Sequence, residues 1–281
     1  MQGTLPGGLK VPNPAAGATQ DAADRAGRLL SWLQAQGLEG YEKSFKLSAQ
    51  GLFANRFLGG LAAGQIPQVR LFEICNDISM PQELLTRLEQ EITGADSVHF
   101  GFEEGHDSAI FKIYLEYWKR LNPARQRRDE SVLLHRAFKW DALDPKRRTV
   151  ASYTCFPCLS REQTIDRIAG IYPGAVAHPS CGLARQLIRL AATRSNEQLM
   201  YLEVSEEGNP RASFDLNFHA ADFKLGEIEA PLLEISRGYS IPPEQFAAMW
   251  GSIKSKPLGH LSGGLSRDGH DFLTVYYDPQ N

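Results

Sequence analysis

The stretch Val98–Trp118, VHFGFEEGHDSAIFKIYLEYW, decides the fold. It reads as a β-hairpin. Side chains alternate across a strand, so Phe111, Ile113, Leu115 and Tyr117 share one face and Lys112, Tyr114, Glu116 and Trp118 share the other. One face must be buried. The other carries charge and phenol.

The same design recurs along the chain. Val132–Trp140 and Thr149–Phe156 flank a polar loop with Pro145. Leu199–Ser205 and Arg211–Phe218 turn through residues 206–210. Gly259–Leu265 and Phe272–Tyr277 turn through Asp268-Gly269, a dipeptide that tolerates the positive φ of a tight hairpin. Helical periodicity separates these pairs. Leu84, Leu85, Leu88 and Ile92 follow Ser79 as the expected N-cap, with Pro81 in the first turn. Ser160 and Gln163 form a capping-box pattern, and Leu183, Leu187, Ile188 and Ala191 share a face beyond it. Segments 223–235 and 242–253 read as helices before the last hairpin. Leu29, Leu30, Trp32 and Leu33 suit a helix ending near Gly37. Periodicity cannot decide between strand and helix at Val69–Ile74.

The expected fold is α+β: an antiparallel sheet with repeated α-α-β-β units and helices on the apolar face. The turns near Gly208 and Gly269 lie about 60 residues apart, a self-similar period. Four hairpins are explicit, and a fifth would have to come from residues 45–75. The sheet is either open with one solvated face or closed into a barrel with a polar, aromatic lumen.

With 281 residues the chain can bury a substantial core, and 42 % hydrophobic against 22 % charged residues marks it as globular. Residues 1–20, rich in Gly and Pro, read as a mobile tail before a single domain over 21–281. A net charge of −3 gives no field for nucleic acid, although Arg125, Arg127 and Arg128 form a local basic run. No stretch approaches the ~20 apolar residues of a membrane span, and no signal peptide is visible, so a cytoplasmic location is expected.

Lys112 and Tyr114 share a strand face, and Arg211, Ser213 and Asp215 share another. Such cations could grip a pyrophosphate through charge-assisted hydrogen bonds without a metal or cofactor, or pair with Glu116 and Asp215 across the sheet. Glu103, Glu116 and Glu203 are candidates to orient or deprotonate a nucleophile, or are plain surface carboxylates. Cys155, Cys158, His178 and Cys181 have spacing compatible with a Cys₃His zinc site. Residues 259–264, GHLSGG, lack the lysine of a phosphate loop and suit close backbone packing or a strand bulge.

The architecture resembles that of the ABBA-type aromatic prenyltransferases, whose repeated α-α-β-β units surround an antiparallel barrel. Lys112-Ile113-Tyr114 is similar to that family's lysine–x–tyrosine strand pattern. The resemblance implies transfer of an isoprenyl group from an isoprenyl pyrophosphate to an aromatic acceptor. It implies that Lys112 and Arg211 hold the pyrophosphate and that Tyr114, Tyr153, Tyr201 and Tyr276 shield the allylic cation. A glutamate and Asp215 would serve the acceptor. The alternative is a non-catalytic α+β module that recognises a small ligand, peptide or partner protein through Lys112, Tyr114, Arg211 and Asp215.

Overall fold

The computed structural model describes residues 14–38, 40–121, 130–174 and 178–280. Eleven strands form one sheet: β1 Gly40–Ser48, β2 Gly51–Phe53, β3 Arg56–Ala62, β4 Ser97–Glu104, β5 Ala109–Glu116, β6 Val132–Asp141, β7 Arg148–Cys155, β8 Tyr201–Glu206, β9 Ala212–Asn217, β10 Leu258–Leu265 and β11 Asp271–Gln280. Sequential strands pair antiparallel, and β11 returns to pair with β1 from Tyr41↔Gln280 to Ser48↔Phe272. Ten strands therefore close a barrel, and β2 is an appendage bonded to β1 alone. The fold is α+β, and the sheet is closed.

Seven α-helices lie among the described residues: α1 Pro14–Ala35, α2 Gln68–Asp77, α3 Gln82–Glu91, α4 Arg161–Gly170, α5 Pro179–Ala191, α6 Glu229–Gly238 and α7 Pro243–Ile253. They cover the outer face of the sheet. Phe111, Ile113 and Leu115 on β5 are fully buried with Leu33 of α1, Leu71 of α2 and Leu88 of α3. On the other flank, Phe214 and Leu216 of β9 pack with Leu187 of α5 and with Phe246 and Trp250 of α7. Both cores are outside the barrel. The inward faces of the strands are thus left free for polar groups.

Several local expectations change. The fifth hairpin is β1 and β3, and it begins at Gly40, earlier than residue 45. Val69–Ile74 falls within helix α2, where Leu71 and Ile74 face the core. Ser79 does not cap α3. It sits at φ 58° after α2, and Pro81 takes the cap position. Ser160 does cap α4, with the reciprocal Gln163 contact. Among the described residues no α-helix lies between β5 and β6, only a short 3₁₀ turn at Trp118–Arg120. Helix α1 begins at Pro14, inside the stretch read as tail; residues 1–13 and the run Arg125, Arg127 and Arg128 lie outside the described residues. The glycine-rich stretch 259–264 is strand β10, whose register with β11 shifts between Leu258 and Leu261, as in a bulge.

Candidate functional site

Alternation along the ten strands fills the lumen with a segregated set of side chains. The end that carries the hairpin turns is cationic. A cavity of about 260 Å³ there is lined by Lys46, Arg56, Lys112, Lys139 and Arg211, with Arg147 and Arg267 also in its wall. Four carboxylates, Glu103, Asp141, Glu206 and Asp268, face these seven cations. Glu103 binds Arg56 Nη1 and Lys112 Nζ, each at 2.5 Å. Glu206 accepts from Lys139 at 3.2 Å, Arg211 at 3.0 Å and Arg267 at 2.8 Å. Burial opposes ionisation of both glutamates, yet the surrounding cations hold each well below the usual carboxylate range.

The cations remain in excess, and the strain shows in the lysines. Lys112 on β5 pairs in register with Lys139 on β6, a like-charge cross-strand neighbour that destabilises a sheet. Burial, with Arg211 adding repulsion, pulls the Lys139 ammonium down to about 7 despite Glu206. Burial pulls Lys46 down to about 8. A stable barrel gains nothing from this concentration of positive charge. An anionic ligand would relieve it.

Tyrosines occupy the middle of the lumen. Tyr114 and Tyr153 have ring centroids 5.6 Å apart with hydroxyls at 3.4 Å, and Tyr276 also lines the cationic cavity. In register beside Tyr114 stand Ala137 and then Ala151, which leave the rings room. Burial pushes the Tyr153 phenol up to about 12, so it stays neutral.

Beyond the tyrosines the chemistry changes sign. A second cavity, about 450 Å³, is lined by Glu42, Glu116, Asp215, His99, His135 and His260, with apolar walls from Leu58, Met200, Leu202 and Trp118. Asp215 Oδ1 lies 3.0 Å from His260 Nδ1. Although burial disfavours its charge, Glu42 and Asp215 push His260 up to about 9. Glu116 accepts from Trp118 Nε1 at 2.6 Å and lies 3.2 Å from His99 Nε2. Despite burial, His99 and the Trp118 hydrogen bond hold Glu116 low. Burial raises the Glu42 carboxyl, and His260 Nε2 lies 4.0 Å from it. His135 Nδ1 is buried without a hydrogen bond, 3.5 Å from Glu116 Oε1.

Of the residues expected from sequence, Glu103, Lys112, Tyr114, Tyr153, Arg211 and Tyr276 line the cationic cavity, while Glu116 and Asp215 line the second one. Tyr201 and Glu203 do not enter the lumen. The Tyr201 ring is buried in the outer core, its hydroxyl donates to Glu203 at 3.0 Å, and Glu203 pairs with Arg167 of α4 at 2.6 Å. The inward residues of β8 are instead Leu202, Val204 and Glu206. Composition misleads on that strand: its apolar Leu202 and Val204 face the lumen, and the outward Tyr201 is sheltered by helices. Lys46, Arg56, Lys139 and Glu42 are functional candidates that sequence reading misses; alternation on β1, β3 and β6 places them inward, but a single charged residue gives no local signal. Among the described residues no group of three or more His, Cys, Asp or Glu is placed to hold a metal ion. Cys155, Cys158, His178 and Cys181, whose spacing alone is compatible with zinc, form no such group: His178 stacks on Tyr172 at 4.6 Å, and Cys155 is buried with Leu134 and Leu202. Among those residues no helix is long and apolar enough to cross a membrane.

A closed ten-strand antiparallel barrel with helices outside matches the barrel fold of the ABBA-type aromatic prenyltransferases. Among solved structures, the chain is similar to 5-dimethylallyl tryptophan synthase from Streptomyces coelicolor in complex with DMASPP and Trp, with TM-score 0.62, 10 % identity and 94 % of each chain covered. It is similar to 6-dimethylallyltryptophan synthase from Micromonospora olivasterospora in complex with the same two compounds, with TM-score 0.58, 13 % identity, and 96 % of this chain and 98 % of that one covered. The prenyltransferase PriB in its apo form gives TM-score 0.56 at 14 % identity over 85 % of this chain and 79 % of that one. No protein-family model matches the chain, and no curated protein matches it by sequence.

Proposed function

We propose that this protein is an aromatic prenyltransferase that moves an isoprenyl group from an isoprenyl pyrophosphate to an aromatic acceptor inside the barrel. The observation that carries the reading is the segregation of the lumen: a surplus of buried cations at one end, an acidic and aromatic chamber at the other, and tyrosines between. The fold shared with the two dimethylallyltryptophan synthases supports it.

In this reading Lys112, Arg211, Arg56 and Lys139 hold the pyrophosphate. The allylic C–O bond breaks and its electron pair leaves with the pyrophosphate, whose growing charge these cations stabilise. Tyr114, Tyr153 and Tyr276 present their rings to the allylic carbocation, which their quadrupoles attract. A carbon of the acceptor ring attacks, a C–C bond forms, and the ring then surrenders its proton. Glu42 suits that last step: its carboxyl is raised, and among the described residues its ion-pair partner His260 Nε2 is 4.0 Å away. Glu116 stands in the same chamber but is already bound by His99 and Trp118, which fits it to orienting the acceptor. Glu103 then serves to fix Arg56 and Lys112 rather than to move protons.

The deciding experiment is incubation with dimethylallyl pyrophosphate and a panel of indoles and phenols, followed by mass spectrometry. A product heavier by one dimethylallyl group is expected, with release of pyrophosphate. Absence of any such product, together with no binding of inorganic pyrophosphate by calorimetry, would leave a non-catalytic binding module as the better account.

A further inference from the structure

The acceptor chamber has a charge pattern that restricts its ligand beyond "aromatic". Glu42, Glu116 and Asp215 line it, and among the described lining residues none is Lys or Arg. Asp96 at the same chamber is bound by Lys119 at 2.7 Å, on a side chain 89 % exposed. The histidines supply little free positive charge. His260 gives Nδ1 to Asp215 at 3.0 Å and turns Nε2 toward Asn217 at 3.4 Å and Glu42 at 4.0 Å. His99 Nε2 is engaged by Ser97 and Glu116, both at 3.2 Å. Burial lowers His135 and His219, which are therefore neutral near pH 7. A carboxylate entering this chamber would meet like charge with no Lys or Arg among the described lining residues to answer it.

We propose that the acceptor is an arylalkylamine, an aromatic ring carrying a cationic amine and no carboxylate. The ring would lie against Leu58, Met200, Leu202 and Trp118. The ammonium would be met by Glu116 and Asp215, both more than nine-tenths buried. His135 Nδ1, buried without a hydrogen bond and 3.5 Å from Glu116 Oε1, is a further polar atom that an occupant of this space would meet. The inference rests on the transferase reading for the word "acceptor" but names a ligand class of its own. It also separates this chain from the two synthase structures that hold Trp, whose ligand carries a carboxylate.

Two ligand series test it. Tryptamine, tryptophan and indole-3-propionate share one ring; tyramine, tyrosine and 3-(4-hydroxyphenyl)propionate share another. Binding of each is measured by calorimetry at pH 7 with inorganic pyrophosphate saturating the cationic end. In at least one series the amine should bind about tenfold or more tighter than the carboxylate, with the amino acid between them, and Asp215→Asn and Glu116→Gln should each narrow that gap to about threefold or less. Equal or tighter binding of the carboxylates overturns the inference, and so does failure of both amines to bind. The transferase reading is judged separately. Prenylation of tryptophan or of a neutral indole in preference to the amines would sink the amine inference and leave the reading intact. No prenylated product and no pyrophosphate binding would sink the reading whatever the order of the amines.

Discussion

Lys139 is the residue most informative about the cationic end, because its charge depends on what it meets. Burial and Arg211 hold it at about 7. A bound pyrophosphate favours the ammonium, so binding at pH 8 should take up protons. Affinity should therefore fall as pH rises above about 7, by up to about tenfold per unit for each lysine that must be charged. Lys46, at about 8, adds to the effect at slightly higher pH. Calorimetry in buffers of different ionisation enthalpy measures the uptake directly. Lys139→Met should reduce the uptake and flatten the pH dependence; an unchanged uptake would show that Lys139 does not face the anion. Lys112 is a different case, tied to Glu103 at 2.5 Å. A charge-assisted hydrogen bond contributes about 1.5–3 kcal/mol, so Lys112→Ala should weaken pyrophosphate binding about 10- to 100-fold. Titration of the variant with inorganic pyrophosphate, compared with the parent at fixed salt, reads this out.

At the level of the element, strand β10 owes its place to its glycines. A Cβ on Gly264 would lie 2.4 Å from Ala212 O and 2.5 Å from Ser213 Cα on β9, and the φ of 144° disfavours any L side chain there. The two strands approach so closely that backbone occupies the side-chain position. Gly264→Ala should force β9 and β10 apart and destabilise the protein by roughly 2–4 kcal/mol, an overpacking and strain effect. Denaturant unfolding measures the loss, and a midpoint unchanged from the parent would mean that the backbone adjusts freely. Gly60 plays a related part on β3. A Cβ there would meet the His99 ring at 2.3 Å, so this glycine opens the space in which His99 reaches Glu116.

For the whole molecule the decisive contact is the seam between β1 and β11. Without it β1 and β11 would become edge strands with unpaired N–H and C=O groups, which templates aggregation. Closure also determines the site. Tyr276 and Thr274 reach the lumen from β11 while Lys46 and Glu42 reach it from β1, so both chambers depend on the seam. A chain ending at residue 270 should fail to give a soluble monomer with cooperative unfolding. Size-exclusion chromatography and calorimetry check this; a monomeric, cooperatively folded product would show that the remaining strands close without β11.

Much of this architecture was legible in the residues themselves. The alternation in Val98–Trp118 defined β4 and β5 and correctly assigned Lys112, Tyr114 and Glu116 to the face opposite Phe111, Ile113 and Leu115. Asp268-Gly269 marked a turn, and Ser160 with Gln163 marked a helix start, because those signals act within a few residues. Period and face are local properties, and the sequence determined them on its own. It could not determine whether the sheet closes, since closure depends on the β1–β11 pairing, more than two hundred residues apart along the chain. It also misjudged β8, where Tyr201 and Glu203 look inward by composition but find helix α4 outside. Only the tertiary structure brought Lys46, Arg56, Lys112, Lys139 and Arg211 to one end and Glu42, Glu116 and Asp215 to the other. The physical reason is that alternation fixes which way a side chain points, whereas the circular order and stagger of ten strands fix which side chains it meets.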